Sequence, residues 1–148
     1  MIEIRPARRS ELAAIVAMLA RDSMGGGVMS EVLTEAQARA FETISAHPDN
    51  DVMVVLLDGE IVGTLQLTFI PGLGYDGAWR AQVEGVRVRS DLRNHRIGSQ
   101  MMEWVFARAR ERGCRLVQLT SNVARKDARR FYERLGFEAS HVGMKLFL

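Results

Sequence analysis

The chain is short of cysteine, proline and histidine. Its 148 residues include one Cys, three Pro and three His. With Cys114 alone, neither an intramolecular disulfide nor a cysteine metal cluster can form. No apolar run approaches the ~20 residues a membrane-spanning helix needs. No Ser/His/Asp or metal-ligand spacing stands out, so neither a nucleophilic triad nor a bound metal is expected. Internal repeats, low-complexity segments and an interior linker are missing too, which with the length points to one domain over residues 1–148. The opening Met1-Ile2-Glu3-Ile4-Arg5 lacks the basic start, apolar stretch and small-residue cleavage site of a secretory signal, so a cytoplasmic location is expected.

What is present is an ordinary globular balance, 47% hydrophobic and 26% charged. The net charge of +2 hides an asymmetry. Residues 1–78 hold 5 Lys/Arg against 11 Asp/Glu, or −6; residues 79–148 hold 15 against 7, or +8. Singly, each arginine reads as a solvated helix face. Together they call for an anionic partner, either nucleic acid or a phosphorylated cofactor. Nucleic acid is disfavoured, because the basic residues are not interleaved with exposed aromatics and no recognition helix is visible.

Periodicity outlines the elements. Ile2–Arg5 alternates and stops at Pro6, a first strand. Ser10 can cap a helix carrying Leu12, Ile15, Val16 and Leu19, ending near Ser23. Gly25–Gly27 is a turn. Thr34 and Gln37 have the spacing of a capping box, opening a second helix to Ala46. Val52–Leu57 is a buried strand, Asp58-Gly59 a hairpin turn, and Glu60–Ile70 the returning strand. Pro71–Gly77 is a loop and Trp79–Val88 a fourth strand. A helix over Ile97–Arg112 buries Ile97, Met101, Trp104, Val105 and Ala109. Leu116–Thr120 is a strand and Lys126–Leu135 a helix. Phe137–Leu148 reads as one or two final strands. The expectation is an α/β (α+β) domain, a mixed sheet of about six to seven strands flanked by about four helices.

The most informative stretch is Val86–Met102. A strand runs through a polar, basic turn, Ser90–Arg96, into a helix opening at Ile97-Gly98-Ser99. The first N–H groups of a helix lack internal partners and carry the positive end of its dipole, so the outline is an anion cradle.

These residues resemble the acetyl-CoA-binding signature of the GNAT superfamily of N-acetyltransferases. That signature is a strand, then Arg or Gln, two residues, Gly, one residue, and Gly or Ala at a helix start. Arg93 and Gly98 match, while Arg96 stands where the first glycine is usual. Either its side chain turns away to let the backbone approach the diphosphate, or its guanidinium contacts phosphate directly. A second match follows: Asn122, then Ala128-x-x-Phe131-Tyr132-x-x-x-Gly136-Phe137, is similar to the family's C-terminal motif. Ala128, Phe131, Tyr132 and Leu135 share one helical face. The resemblance covers essentially the whole chain, in the family's order.

It implies direct acetyl transfer from acetyl-CoA to an amine. The backbone of Val86, Arg87 and Val88 would pair with the pantetheine arm like an added strand. Arg93, Asn94, His95, Arg96, Ile97, Gly98 and Ser99 would hold the diphosphate, Asn122 would orient the arm, and Arg125, Lys126 and Arg129 suit the remaining phosphate. An alkyl ammonium titrates near ~10.4, so a base must free the amine. Glu84 is the candidate, read alternatively as a cross-strand partner of Arg80 or Arg87. Gly85 beside it suggests a bulge that opens the cofactor slot. Tyr132 is the candidate acid for the departing thiolate, read alternatively as a core aromatic. His47 reads as a loop residue, His95 as touching phosphate or solvent, and His141 as strand edge, with a second base as its alternative; Cys114 reads as buried and inert. Met24, Met29, Phe69, Tyr75 and Trp79 would line an acceptor pocket in the acidic half, which suits a small-molecule amine. A non-catalytic acyl-CoA-binding module and a protein or peptide acetyltransferase are the alternatives. Homodimers are frequent in the family, so by analogy the resemblance admits a homodimer, while the residues themselves leave the oligomeric state open.

Overall fold

The computed structural model describes residues 1–21 and 31–148. The expected turn at Gly25–Gly27, together with Met24 and Met29, lies outside the described residues. The chain divides into two compact units, Met1–Gln118 and Leu119–Leu148.

The first unit is a twisted sheet in the order β1-β2-β3-β4-β5. The strands are β1 (Ile2–Pro6), β2 (Asn50–Leu57), β3 (Glu60–Ile70), β4 (Trp79–Val88) and β5 (Cys114–Gln118). The first four pair antiparallel; β5 runs parallel to β4. The helices are α1 (Leu12–Arg21), α2 (Glu35–Ala46), a single turn α3 (Gly74–Gly77) and α4 (Ile97–Glu111). Asp58 and Gly59 turn the β2–β3 hairpin with φ of 51° and 83°, the mirror-image turn that matches strand twist.

Alternation along β2 sends adjacent side chains to opposite faces. Val54 and Leu56 pack with Leu12, Ile15 and Phe41 of α1 and α2. Val55 lies beside Gly63 and Met101 on the α4 side. Val54, Val55, Met101, Met102 and Val105 are fully buried. Met102 takes the buried place on α4 expected for Trp104, which is half-buried. The capping box forms as expected: Gln37 N–H donates to Thr34 Oγ1 at 3.1 Å, and Thr34 N–H to Gln37 Oε1 at 3.0 Å. Ser10 does not cap α1. A short 3-10 turn, Arg9–Glu11, precedes the helix, and Glu11 accepts the Arg8 N–H at 2.7 Å while gripping Arg5 of β1.

The second unit holds α5 (Lys126–Arg134), closed by Leu135 and by Gly136 at φ 100°. Ala128, Phe131, Tyr132 and Leu135 are half-buried along one face, and the residues between them are exposed. The expected strands over 137–148 are not formed, so the described sheet has five strands rather than six or seven. Val142, Met144, Leu146 and Leu148 alternate as a strand would, yet all are exposed. A strand pattern becomes a strand only where a neighbour takes its backbone groups.

Candidate active site

The site is built on β4 and the turn after it. Glu84 faces Gln66 across the β3–β4 ladder, and Thr64 faces Arg87. One residue on β3, Leu65, therefore opposes two on β4, which places a bulge at Gly85 and Val86. Gly85 takes φ of 59°, a left-handed conformation natural to glycine. Leu19 of α1 lies against it: a Cβ there would sit 3.2 Å from Leu19 Cδ2. The bulge expected from Gly85 is present.

On the opposite side, β4 and β5 pair only from Trp79↔Cys114 to Gln82↔Gln118. Beyond that pair the ladder stops, and among the described residues no strand pairs with β4 on its β5 side from Val83 to Val88. The free edge leads directly into the basic turn.

Ser90–Leu92 forms one 3-10 turn. Asn94 and Arg96 then both take left-handed φ, 73° and 62°. Arg96 thus holds the backbone shape for which glycine is usual, with its side chain exposed. It is the N-cap of α4, and no side chain caps the helix there. The first intrahelical bond comes from Gln100 N–H to Arg96 O, at 3.0 Å. The N–H groups of Ile97, Gly98 and Ser99 are left as the positive end of a 15-residue helix. His95 folds onto its own turn, its Nδ1 3.2 Å from Arg93 O. Arg87 Nη1 donates to Val86 O at 2.9 Å. Arg89, between strand and turn, pairs with Asp91 at 2.7 Å and Glu60 at 3.1 Å. The Arg89 hydrogen bond holds the Asp91 carboxyl below the usual carboxylate range. This arrangement fits a diphosphate at the helix start and an extended chain beside β4.

Glu84 is exposed, and its partner is an amide: Gln82 Nε2 donates to Glu84 Oε1 at 2.7 Å. Among the described residues neither Arg80 nor Arg87 pairs with it. Gln118 Nε2 in turn donates to Gln82 Oε1 at 2.9 Å. Sequence reasoning missed both glutamines. Gln82, two residues before Glu84 on the same strand face, carried a visible signal; Gln118 was found only through strand register.

Phe69 does not line a pocket on this face. It is buried, and the Arg112 guanidinium covers its ring at 4.3 Å. Tyr75 is exposed and Trp79 half-buried. Cys114 is half-buried rather than buried, and desolvation pushes its thiol up, away from the reactive thiolate.

Asn122, Arg129 and Tyr132 belong to the second unit. Asn122 Oδ1 accepts the Ala124 N–H at 2.9 Å, an Asx turn. Arg129 pairs with Glu133 one turn on, at 2.9 Å. Tyr132 packs edge-on against Phe131 and Phe137, ring centroids 5.1 and 5.7 Å away. Its carbonyl also accepts the Phe137 N–H at 3.1 Å.

The described sheet thus carries a bulged strand that parts from β5 and feeds a helix start, an arrangement that fits a diphosphate-bearing ligand. The Acetyltransferase (GNAT) family model matches residues 17–137, and the chain belongs to this family. Acetyl-CoA is the family's acetyl donor, and the chain is an acyltransferase. An aminoalkylphosphonate N-acetyltransferase of Salmonella typhimurium is 31% identical over 112 residues, 76% of this chain and 72% of that protein. A crystal structure described as a transcriptional regulator from Bacillus halodurans C-125 is 45% identical, with TM-score 0.93 over 100% of both chains. An acetyltransferase from Clostridium acetobutylicum, solved with acetyl-CoA, shares the fold at 17% identity and TM-score 0.77, covering 99% of this chain and 96% of that one.

Proposed function

We propose that this chain is a single catalytic domain that transfers acetyl directly from acetyl-CoA to a primary amine of a small molecule, with Glu84 as base and Tyr132 as acid. The observation that carries the reading is the bulge at Gly85. It sets an exposed carboxylate on β4 next to a strand edge that β5 leaves open. The backbone of Val86, Arg87 and Val88 would hold the donor's extended arm. The turn Arg93–Ser99, with the uncapped N–H groups of Ile97, Gly98 and Ser99, would hold its diphosphate. When bound, acetyl-CoA supplies the activated acetyl thioester.

The residues' own tasks follow from proton chemistry. Glu84 takes a proton from the ammonium, directly or through water, because almost none of an amine titrating near ~10.4 is free at neutral pH. Tyr132 donates a hydrogen bond to the thiolate; a thiol titrating near ~8.5 needs no stronger acid. Asn122 and Arg129 are assigned to the donor by motif position. The acceptor class rests on the acidic first half of the chain and on the Salmonella relative, whose name specifies a small amine. The protein is taken as cytoplasmic and homodimeric; the exposed apolar side chains of Val142, Met144, Leu146 and Phe147 support self-association.

Thiol release from acetyl-CoA against aminoalkylphosphonates, amino sugar phosphates, polyamines and amino acids tests the reading. At least one small amine is expected to be turned over. Glu84→Gln should lower kcat/KM by roughly 10²–10⁴ and Tyr132→Phe should lower kcat by at least about tenfold. Tight acetyl-CoA binding with no turnover of any amine would favour the acyl-CoA-binding module. Turnover of peptide amines alone would favour the protein acetyltransferase.

A further inference from the structure

We propose that Gln82 and Gln118 are positioning residues of the acetyl transfer, a two-amide relay that aims the Glu84 carboxylate. The inference rests on Glu84 being the base.

A glutamine amide has a donor end and an acceptor end. Gln118 Nε2 donates to Gln82 Oε1 at 2.9 Å, and Gln82 Nε2 donates to Glu84 Oε1 at 2.7 Å. Both bonds select the same orientation of the Gln82 amide. With its oxygen engaged by Gln118, its NH₂ is the end left for Glu84. Glu84, which can only accept, selects the same end, and the reversed amide would set Gln82 Oε1 against a carboxylate oxygen; Gln118 adds the anchor that holds the amide, and with it the carboxylate, in place.

Register places all three side chains together. Gln82 and Glu84 are two residues apart on β4 and so share a face. Gln82↔Gln118 is the last pair of the β4–β5 ladder, at the fork where the two strands part. The relay therefore sits at the mouth of the open edge. Two other polar side chains on this face are engaged elsewhere. Gln66, opposite Glu84, donates its Nε2 to Asn50 Oδ1 at 3.0 Å, and Thr68, opposite Gln82, donates to the same oxygen at 3.0 Å. Among the described residues the second oxygen of Glu84 carries no protein hydrogen bond, which leaves it to meet the amine.

The decisive variant is Gln118→Glu, which does not touch Glu84. A carboxylate at 118 can only accept, so it repels Gln82 Oε1 and competes with Glu84 for the Gln82 NH₂; whenever the amide turns to it, Oε1 is presented to Glu84. The assay is acetylation of whichever panel amine wild type turns over fastest, alongside thermal unfolding. Gln118→Glu should lower kcat roughly tenfold to a hundredfold, with the acetyl-CoA KM and the unfolding temperature held. Gln118→Leu should lose less, because it removes the constraint without reversing the amide. In a Gln82→Leu background, Gln118→Glu should have little further effect, since the hydrogen-bonded route from 118 to 84 is gone. By NMR, the nuclear Overhauser contact from the Gln82 side-chain amide to the Glu84 γ protons should vanish in Gln118→Glu.

A wild-type kcat in Gln118→Glu overturns the relay, as does an equal loss with and without the Gln82 side chain. So does a fall in unfolding temperature with kcat unchanged, which marks a ladder that merely braces the sheet. Retention of the Gln82–Glu84 contact in Gln118→Glu also overturns it, whether or not any amine reacts. The premise fails separately: Glu84→Gln at wild-type rate removes Glu84 as base, whatever the glutamine variants do.

Discussion

Arg96 occupies a glycine's backbone conformation. Its φ of 62° costs a residue with a Cβ about 1–2 kcal/mol relative to right-handed geometry. Glycine escapes that cost but loses about 0.5–1 kcal/mol more chain entropy on folding. Comparing Arg96→Gly with Arg96→Ala separates backbone from side chain, because both delete the guanidinium and only glycine relaxes the turn. Arg96→Gly is expected to be the more stable of the two by about 1 kcal/mol in urea unfolding, and to bind CoA as wild type does by calorimetry. An affinity loss of about tenfold or more (~1.4 kcal/mol) in both variants would instead assign a phosphate contact to the guanidinium. Both motif matches were readable residue by residue. Gln82, two residues before Glu84 on the same strand face, was readable too; Gln118 was not, because the residue across a ladder is set by register and not by sequence distance.

At the scale of elements, Gly63 is where β3, β4 and α4 meet most closely. A Cβ there would lie 2.9 Å from Arg87 O, 3.2 Å from Met101 Sδ and 3.3 Å from Val55 Cβ. The first of these is backbone of the strand that carries the site. Gly63→Ala is therefore expected to cost about 1–3 kcal/mol and lower the melting temperature. It should also weaken CoA binding, as Arg87 is pushed outward; unchanged stability and affinity would show that β3 yields freely. Helices were legible from apolar spacing and the Thr34–Gln37 box, since their hydrogen bonds are local. Strands were legible with an error. β5 begins at Cys114 rather than Leu116, and the alternating segment 137–148 is no strand. Strand pairing needs a distant neighbour, and alternation alone does not supply one.

Over the whole molecule, two carboxyls pull stability in opposite directions with pH. Hydrogen bonding to Arg5 holds the Glu11 carboxyl below its usual value. Its stabilisation is present at neutral pH and is lost as pH falls through that lowered value. Burial pushes Asp51 the other way. Its ionisation opposes folding, so its contribution is full in acid and is lost as pH rises through the raised value. Urea midpoints at pH 7 and pH 3 should show Glu11→Gln less stable and Asp51→Asn more stable than wild type at pH 7. Both differences should shrink at pH 3; a constant offset at the two pH values would contradict the assignment.

The sequence by itself determined what depends on neighbours a few residues away: amphipathic helices, the Asp58-Gly59 turn, the capping box, the two motifs and the charge split between the halves. It also placed a bulge at Gly85, because glycine marks where a strand can leave its regular path. Only the tertiary structure decided what depends on pairing across the sheet. That includes the ending of the β4–β5 ladder at Gln82↔Gln118, the left-handed backbone of Arg96 and the burial of Phe69 under Arg112. It also includes the chain of amides that reaches Glu84 from β5. The physical reason is common to all of these: a long-range contact is selected by competition among many pairings, and the winner is settled by packing the entire core.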